Sequence, residues 1–305
     1  MSAQGVQPDP LTGPVEIRTT DTAISIDGSV TYEWAARRRP FVHPLTTPAG
    51  HVLTRDAPDD HPWHHGLWFT IKFVNGENFW EEYDTYGVLR HREPPLTIET
   101  EPGRVMIAGE LEWIRPDRET VVINEVRSMQ YRRLSADAYA LFFATALSPN
   151  VDVVLDRTPF TTWGGYGGLA FRGRGDWHDT RLLLDDGVGR DRVLGDRSTW
   201  LALDGLVGEH DAPAGIVIGS SGRNPGYPES WYASTRADTY GDEGWSNFVN
   251  AAFLWDSPIE VAAGERFRLE YPVIVHDGIW GPERIEAAIL ALRTDTHLDD
   301  AEHPA

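Results

Sequence analysis

Three histidines and a tryptophan fall within five positions of the chain, in the run HPWHHGL that begins at His61. Imidazole titrates near neutrality, so each of these side chains could give or take a proton at physiological pH. Prolines on both sides of the run exclude a regular helix and predict rigid loops that hold the histidines in place. The predicted acid–base set is His61, His64 and His43, with Glu82 as a carboxylate beside them.

The same segment carries groups suited to holding a substrate. If the chain turns at Arg55 and Asp56, the arginine could clamp a substrate oxygen while the aspartate orients a histidine. Trp63 and Trp80 offer flat apolar faces of the kind that stack on sugar rings. With His65 added, this substrate-binding set resembles a carbohydrate site more than a phosphate site.

A second group of candidates follows later in the chain. Glu125 and Arg127 share one face of a predicted strand, so they either reach a pocket together or form an ion pair. The run PFTTWGGYGGLAFRGRG has six glycines between positions 164 and 175 but lacks the pattern of a nucleotide cradle. Trp163 and Arg172 from this run, and Trp231 further on, complete the predicted substrate-binding residues.

A metal site is the alternative interpretation of the histidine run. His61 with His64 or His65 and with Glu81 or Glu82 would suit zinc, manganese or iron. However, the spacing HxxHH is not a specific metal signature, and no helix is predicted that would align an HExxH pair. We therefore predict no cofactor and assign no metal ligand, while a divalent metal remains the less favoured alternative.

Composition and charge narrow the partners. The 305 residues carry a formal net charge of −20 and a sequence pI near 4.8, which opposes binding to nucleic acid or to anionic lipid. No segment reaches the length of apolar chain that spans a membrane, and the first residues, MSAQGVQPDP, lack the pattern of a secretory signal. We expect a cytoplasmic protein whose partner is a small-molecule sugar or glycoside; the oligomeric state stays open.

Alternation of apolar and polar residues with period two recurs along most of the chain. It predicts about 15 strands bounded by turn residues, among them residues 104–113, 120–132, 139–148 and 266–276. Convincing helical spacing begins only at Pro282, from which Ile285, Ala288, Ile289 and Leu292 would share one face. The predicted fold class is all-β, a two-sheet antiparallel β-sandwich with a short C-terminal helix, in a single domain over residues 14–295 with flexible termini at 1–13 and 296–305.

Several runs resemble one bacterial family. They are RPFVHPLTTPAGHVLTRDAPDDHPWHHGLWF, NGENFW, GGLAFR, GIVIGSSGRNPGYPESWYAS and YPVIVHDG, and the family is labelled DUF6807, also called PmoA-like. The resemblance covers about residues 15–278, and it implies a galactose-mutarotase-like β-supersandwich and a role in carbohydrate catabolism. This chain departs from the family at Trp63, where a histidine is common, and at His65, where arginine is common.

These observations lead to one preferred function and two alternatives. The preferred function is an enzyme, a carbohydrate lyase or hydrolase, that uses histidine and carboxylate acid–base chemistry on a sugar or an oxidised (3-keto) glycoside, by elimination and hydration or by hydrolysis. The enzymatic alternatives are a sugar epimerase and a glycoside hydrolase with two carboxylates, drawn from Glu81, Glu82, Glu125 and Asp152. The non-enzymatic alternative is a carbohydrate-binding or sensor protein, whose histidines only form hydrogen bonds.

Overall fold

The computed structural model describes residues 11, 13–35, 37–159, 165–237 and 246–295. The strands of the first half of the described chain are β1 Ile17–Thr19, β2 Ala23–Ile26, β3 Val30–Glu33, β4 Phe41–Leu45, β5 Leu67–Thr70, β6 Phe73–Val74, β7 Glu77–Asn78, β8 Val88–His91, β9 Leu96–Glu101, β10 Arg104–Ile114, β11 Val121–Ser135 and β12 Ala138–Pro149. Those of the second half are β13 Val153–Asp156, β14 Gly168–Arg172, β15 Trp177–Leu184, β16 Gly189–Arg190, β17 Arg192–Ser198, β18 Trp200–Val207, β19 Ala212–Gly219, β20 Glu229–Ser234, β21 Phe248–Ala251, β22 Ile259–Val261 and β23 Phe267–Asp277, and the helix is α1 Pro282–Asp295.

Two large antiparallel sheets dominate the described chain. The nine-stranded sheet has the order β1-β2-β3-β4-β5-β14-β21-β20-β17. The ten-stranded sheet has the order β16-β15-β18-β19-β23-β12-β11-β10-β8, and β9 pairs with β10 beside this path. A small sheet, β22-β13-β6-β7, stands apart from both. The predicted all-β fold with antiparallel sheets and one C-terminal helix is thereby confirmed.

The main core lies between the two large sheets. Alternation along each strand sends every second side chain inward, and β11 shows this as a regular change between buried and half-buried residues. Phe69 of the nine-stranded sheet meets Phe143 of the ten-stranded sheet with ring centroids 5.9 Å apart. Because both inner faces are apolar, burial of this surface is the dominant favourable term in folding.

The helix covers the outer face of the ten-stranded sheet. Ile285, Ile289 and Leu292 are buried there in a second apolar cluster that includes Trp200 and Ile274 from the sheet. The spacing of these residues is the one that the sequence predicts for the buried stripe of a helix. The same cluster includes Ala138 and Ala140, so the helix also covers the first part of β12.

The number of strands differs from the sequence prediction. The described residues contain 23 strands rather than about 15, although the long predicted strands appear with ends shifted by up to three residues. The missed strands include β15, β17 and β20, whose alternation is masked by charged residues or, in β20, by burial on both faces. Two-residue strands such as β6 and β7 carry too few side chains to show any period.

Within the described ranges, the chain forms no helix with the length and apolar character needed to cross a bilayer.

Candidate active site

An aromatic layer lies on the outer face of the nine-stranded sheet. Along β5, Phe69 points into the main core and the neighbouring Trp68 points the other way. The rest of the layer comes from β4, β14, β20, β21 and adjoining loops: Phe41, Trp80, Ala170, Tyr232, Phe248 and Ala252, with the partly buried Trp63, Tyr166 and Trp255 at its edge. This layer is the floor on which the predicted site residues gather.

His64 is part of this layer rather than exposed above it. Its ring stacks on Phe248 at 5.1 Å and on His61 at 4.6 Å, and it lies 5.0 Å from Trp68. The residue is only 5% exposed. Burial holds the pKa of His64 well below its usual value, and the nearby positive groups act in the same direction. The imidazole is therefore neutral at pH 7.

His61 forms the accessible end of a hydrogen-bonded triad with Asp60 and Arg172. His61 Nδ1 lies 2.8 Å from Asp60 Oδ2, and Arg172 Nη2 donates to both oxygens of the same carboxylate, at 3.1 and 2.8 Å. The side chain of His61 is 27% exposed, while those of Asp60 and Arg172 are 5% and 2% exposed. Access from solvent thus reaches the imidazole and leaves its partners covered.

The carboxylate of the triad stays ionised. Burial acts to raise the pKa of Asp60, but the hydrogen bond from His61 and the charge of Arg172 outweigh it and lower that pKa to about 2. Because an ionised carboxylate only accepts hydrogen bonds, Asp60 turns the Nδ1–H group of His61 towards itself and places Nε2 on the far side of the ring. Trp63 lies edge-on beside the imidazole, with ring centroids 5.3 Å apart.

His65 lies deeper, in a chain of charged groups. Its Nδ1 is 2.6 Å from Asp56 Oδ1, and its Nε2 is 3.2 Å from Glu82 Oε2. Arg39 approaches the other oxygen of Glu82 at 3.3 Å. Burial opposes the charge of Glu82, yet the hydrogen bond with His65 and the charge of Arg39 keep its pKa below the usual value. His65 is 0% exposed, so its ring lies beneath the surface, whereas the sequence predicts it among the substrate-binding residues.

His43 faces a separate cleft of about 570 Å³ that also includes Arg55 and Asp56. The ring nitrogen Nδ1 of His43 lies 2.9 Å from Thr54 Oγ1. Burial lowers the pKa of His43, although the nearby charge of Asp56 acts in the opposite direction. Asp56 links this cleft to the interior, since its carboxylate also meets His65. The sequence-predicted pairing of Asp56 with a histidine is thus present, with His65 as the partner.

Three predicted substrate contacts lie in the core instead. Glu125 and Arg127 are 1% and 2% exposed, and Glu125 accepts hydrogen bonds from Arg127 Nε and from Trp113 Nε1, both at 2.7 Å. Trp231 is 0% exposed and donates its indole N–H to the carbonyl of Ser198 at 3.0 Å. Alternation along β20 turns Trp231 away from the aromatic layer and towards the main core. Alternation along β11 turns Glu125 and Arg127 to the face that meets the other sheet.

Two further tryptophans complete the account of the predicted residues. Trp80 belongs to the aromatic layer but is only 1% exposed, with its ring 5.0 Å from that of Tyr166. It therefore shapes the floor of the site without offering a face to a ligand. Trp163 lies outside the described residues.

Sequence reasoning missed four contributors to the site. Asp60 and Arg39 bind predicted residues directly, and Phe248 supplies a stacking face for His64. Lys72, buried on the same outer face, pairs with Glu81. A local signal existed only for Asp60, which directly precedes a histidine in the run DDHP. Arg39 and Lys72 lie in loops of the same segment of the chain, where only the fold pairs them with Glu82 and Glu81, and Phe248 comes from the distant strand β21.

The carboxylates near the histidines bind arginines, lysine and imidazoles. Among the residues that the structure describes, no group of three or more histidine, aspartate or glutamate side chains is arranged to hold a metal ion. The acidic and basic groups around the aromatic layer instead occur as mixed pairs, of which Arg172 with Asp60 and Arg39 with Glu82 are the most deeply buried.

Comparisons with known proteins identify one family and solved structures of low sequence identity. A protein-family model described as a family of unknown function, DUF6807, matches residues 21–289. No curated protein matches the chain. Among solved structures, a galactose 1-epimerase from Lactobacillus acidophilus matches at 8% identity and a TM-score of 0.42, over 88% of this chain and 100% of that one.

Two other solved structures match at the same distance. A galactose mutarotase related enzyme from Lactobacillus acidophilus has 6% identity and a TM-score of 0.40, over 88% of this chain and 99% of that one. A heparan sulfate lyase mutant from Pedobacter heparinus has 10% identity and a TM-score of 0.40, over 89% of this chain. This chain spans 36% of the length of that lyase.

Proposed function

The chain belongs to the DUF6807 family, and from that premise we propose that it is a carbohydrate-active enzyme with histidine and carboxylate acid–base chemistry. The proposed substrate is a sugar or an oxidised (3-keto) glycoside. One observation carries the proposal: the half-exposed imidazole of His61 is held by the buried, ionised Asp60 beside the aromatic face of Trp63. An imidazole fixed by a carboxylate is suited to proton transfer, and an indole face is suited to a sugar ring.

The proposed first step is removal of a proton from carbon. His61 Nε2 takes the proton from the carbon next to the keto group, and the C–H electron pair moves into the carbonyl to form an enolate. In an elimination, the enolate electrons form the new C=C bond as the oxygen substituent on the following carbon leaves, and that oxygen takes the proton held by His61. In an epimerisation, water supplies a proton to the opposite face of the carbon, and His61 passes its own proton to solvent. Both outcomes share the first step and differ in the product.

The remaining residues are assigned supporting roles. Arg172 is a positioning residue, because its guanidinium is buried against Asp60. Neutral His64 stacks on the ring of His61 and fixes its plane. His43, Arg55 and Asp56 line the neighbouring cleft, where they are proposed to hold a second part of the substrate.

A mechanism with two carboxylates has less support. Of the carboxylates available for it, Glu125 is buried in the core with Arg127, Glu81 pairs with Lys72, and Glu82 contacts His65. Glycoside hydrolysis of that kind needs two carboxyl groups on opposite sides of a substrate-sized gap. These carboxylates instead bind neighbouring side chains.

Solvent-deuterium exchange tests the proposal at the first step. The wild-type protein is incubated with methyl 3-keto-glucosides in D₂O, and ¹H NMR measures exchange at the carbon next to the keto group. We expect H61Q to slow exchange by about 10²–10⁴-fold, because the base is lost. D60N should slow it as well, since the amide no longer holds the imidazole as a carboxylate does.

A matched control separates loss of the base from general damage. His178 also contacts an aspartate, Asp211, at 3.0 Å and has a side chain 33% exposed, but it lies on β15 away from the aromatic layer. H178Q should exchange at the wild-type rate. If the wild-type protein binds the keto-glycoside but catalyses no exchange, the chain is a binding protein. If H61Q catalyses exchange at the wild-type rate, His61 is not the base.

A further inference from the structure

A cleft of about 470 Å³ opens between the segment after β3 and strand β8. We call it the arginine cleft, because Arg37, Arg38, Arg90 and Arg118 line it. His91 and an apolar wall complete the lining. It is distinct from the aromatic layer and from the cleft at His43, and no step proposed above uses it. Among the residues that the structure describes, no aspartate or glutamate belongs to this lining.

This charge distribution stands out in a chain with 47 acidic and 27 basic residues. Acidic side chains compensate the arginines only from outside the lining. Asp84 pairs with Arg38, and Glu112 lies 3.5 Å from Arg90 while also lying 3.5 Å from a second arginine. The positive ends are thus gathered on one concave surface, and the negative ends lie around its rim.

Arg118 is the least compensated member. Its Nη2 donates to the main-chain carbonyl of Asp84 at 2.7 Å, and within the described chain it forms no ion pair. Arg38 reaches the same turn, because its Nη1 donates to the carbonyl of Tyr83 at 3.3 Å. The turn at residues 83–84 therefore holds two guanidinium groups at the cleft, where planar donor groups can bind an oxyanion in a bidentate manner.

Trp34 supplies an apolar side of the same cleft. Its indole Nε1 is buried, so the ring presents apolar surface to the cleft rather than its N–H group. With Val88 and Leu89, the indole also provides an apolar wall for the body of a ligand.

We infer that the arginine cleft binds a small organic anion, a phosphate, sulfate or carboxylate group carried on a sugar-sized body. The guanidinium groups bind the oxyanion, and Trp34, Val88 and Leu89 contact the body of the ligand. The cleft adjoins the candidate active site through Arg37, which lies 3.2 Å from Asp56, the partner of His65. The inference does not depend on the chemistry proposed for His61.

Calorimetric titration at low ionic strength tests the inference with four probes: glucose 6-phosphate, glucuronate, inorganic phosphate and neutral glucose. We expect saturable binding of the anions and at least tenfold weaker binding in the double variant R90Q/R118Q. Added salt should weaken binding, because the arginines are exposed and their attraction is screened. Tighter binding of the sugar anions than of inorganic phosphate is the expected result, and equal binding would overturn the assignment of a sugar-sized body.

The matched control is R92Q. Arg92 follows β8, is 52% exposed and lies outside the cleft, yet it shares Glu112 with Arg90. It should bind the probes within twofold of wild type, and near-UV circular dichroism checks that all variants fold. Any one of three results would overturn the inference. They are no saturable binding of any anion, binding of glucose as tight as that of the anions, and an unchanged affinity in R90Q/R118Q.

Discussion

The three histidines of HPWHHGL have three different surroundings. His61 is partly exposed and bonded to Asp60, His64 is buried among aromatic rings, and His65 is fully buried against Asp56. Imidazole chemistry is the same for all three, so they differ in their exposure and in the groups that surround each ring. At this scale, the candidate base is the histidine that keeps both a carboxylate partner and contact with solvent.

Glu229 gives a pH-dependent prediction at the same scale. It is 1% exposed on β20, and burial raises its pKa from 4.5 to about 7, although hydrogen bonds from Ser220 and Asn224 oppose the rise. The folded state therefore binds the proton more tightly than the unfolded state. The free energy of unfolding should fall as the pH rises from about 4.5 to about 7 by up to about 3 kcal/mol from this group.

Urea unfolding of E229Q measures this contribution. The amide keeps the shape of the protonated acid and does not ionise, so the variant should lose less stability than wild type between pH 5 and pH 7.5. The control is E260Q, which changes an exposed glutamate on β22 and should follow the wild-type profile. Parallel wild-type and E229Q profiles would contradict the assigned pKa.

The loop that carries the histidines packs closely against strand β4 at Gly66. Gly66 has φ +63°, and a Cβ atom there would lie 2.3 Å from the carbonyl oxygen of Val42 and 3.2 Å from side-chain atoms of His43 and Thr54. The glycine thus lets the loop approach β4 closely before β5 begins. The histidines and Trp68 depend on this approach for their positions.

Gly66→Ala is the corresponding prediction at the scale of elements. The left-handed backbone costs an alanine about 1–2 kcal/mol, and the clash with backbone adds about 1–3 kcal/mol. We expect a loss of about 3 kcal/mol in the free energy of unfolding, measured by urea titration, with lower exchange activity. Gly76 has φ +79° and open space around its Cβ position, so G76A should lose only about 1–2 kcal/mol. Equal losses would show that the approach to β4 is not limiting.

The two large sheets define the molecule as a whole, and an ion pair lies buried between them. Glu125 and Arg127 are both on β11, and the guanidinium of Arg127 faces the rings of Phe69 and Phe143 at 5.9 and 5.4 Å. Phe69 belongs to the nine-stranded sheet and Phe143 to the other. The pair therefore contributes to the contact between the sheets rather than to substrate binding.

Arg127→Met tests this structural role. Removal of one partner leaves the carboxylate of Glu125 buried without its cation, so we expect a loss of about 3–5 kcal/mol in the free energy of unfolding. The double variant E125Q/R127M should recover part of that loss. In the control R115M, the lost pair with Glu77 is partly exposed, and the cost should stay within about 1 kcal/mol. A small loss in R127M together with weaker ligand binding would return Arg127 to the site.

Local patterns in the sequence determined the fold class and predict a region for the candidate site. Alternation predicted the long strands β10, β11, β12 and β23, and the spacing after Pro282 predicted the helix, because burial of one face acts on residues close in the chain. The density of histidines, arginine and carboxylates between residues 39 and 82 predicted where proton-transfer groups would gather.

Only the tertiary structure decided which of these groups are accessible and what binds them. Arg172 reaches Asp60 from a strand 112 positions along the chain, and Phe248 stacks on His64 from further still. Alternation also leaves open which face of a strand is turned to the core, so Glu125, Arg127 and Trp231 lie between the sheets while Trp68 lies in the aromatic layer. Strand pairing sets these contacts, and it depends on the burial of both sheets together rather than on any single run of residues.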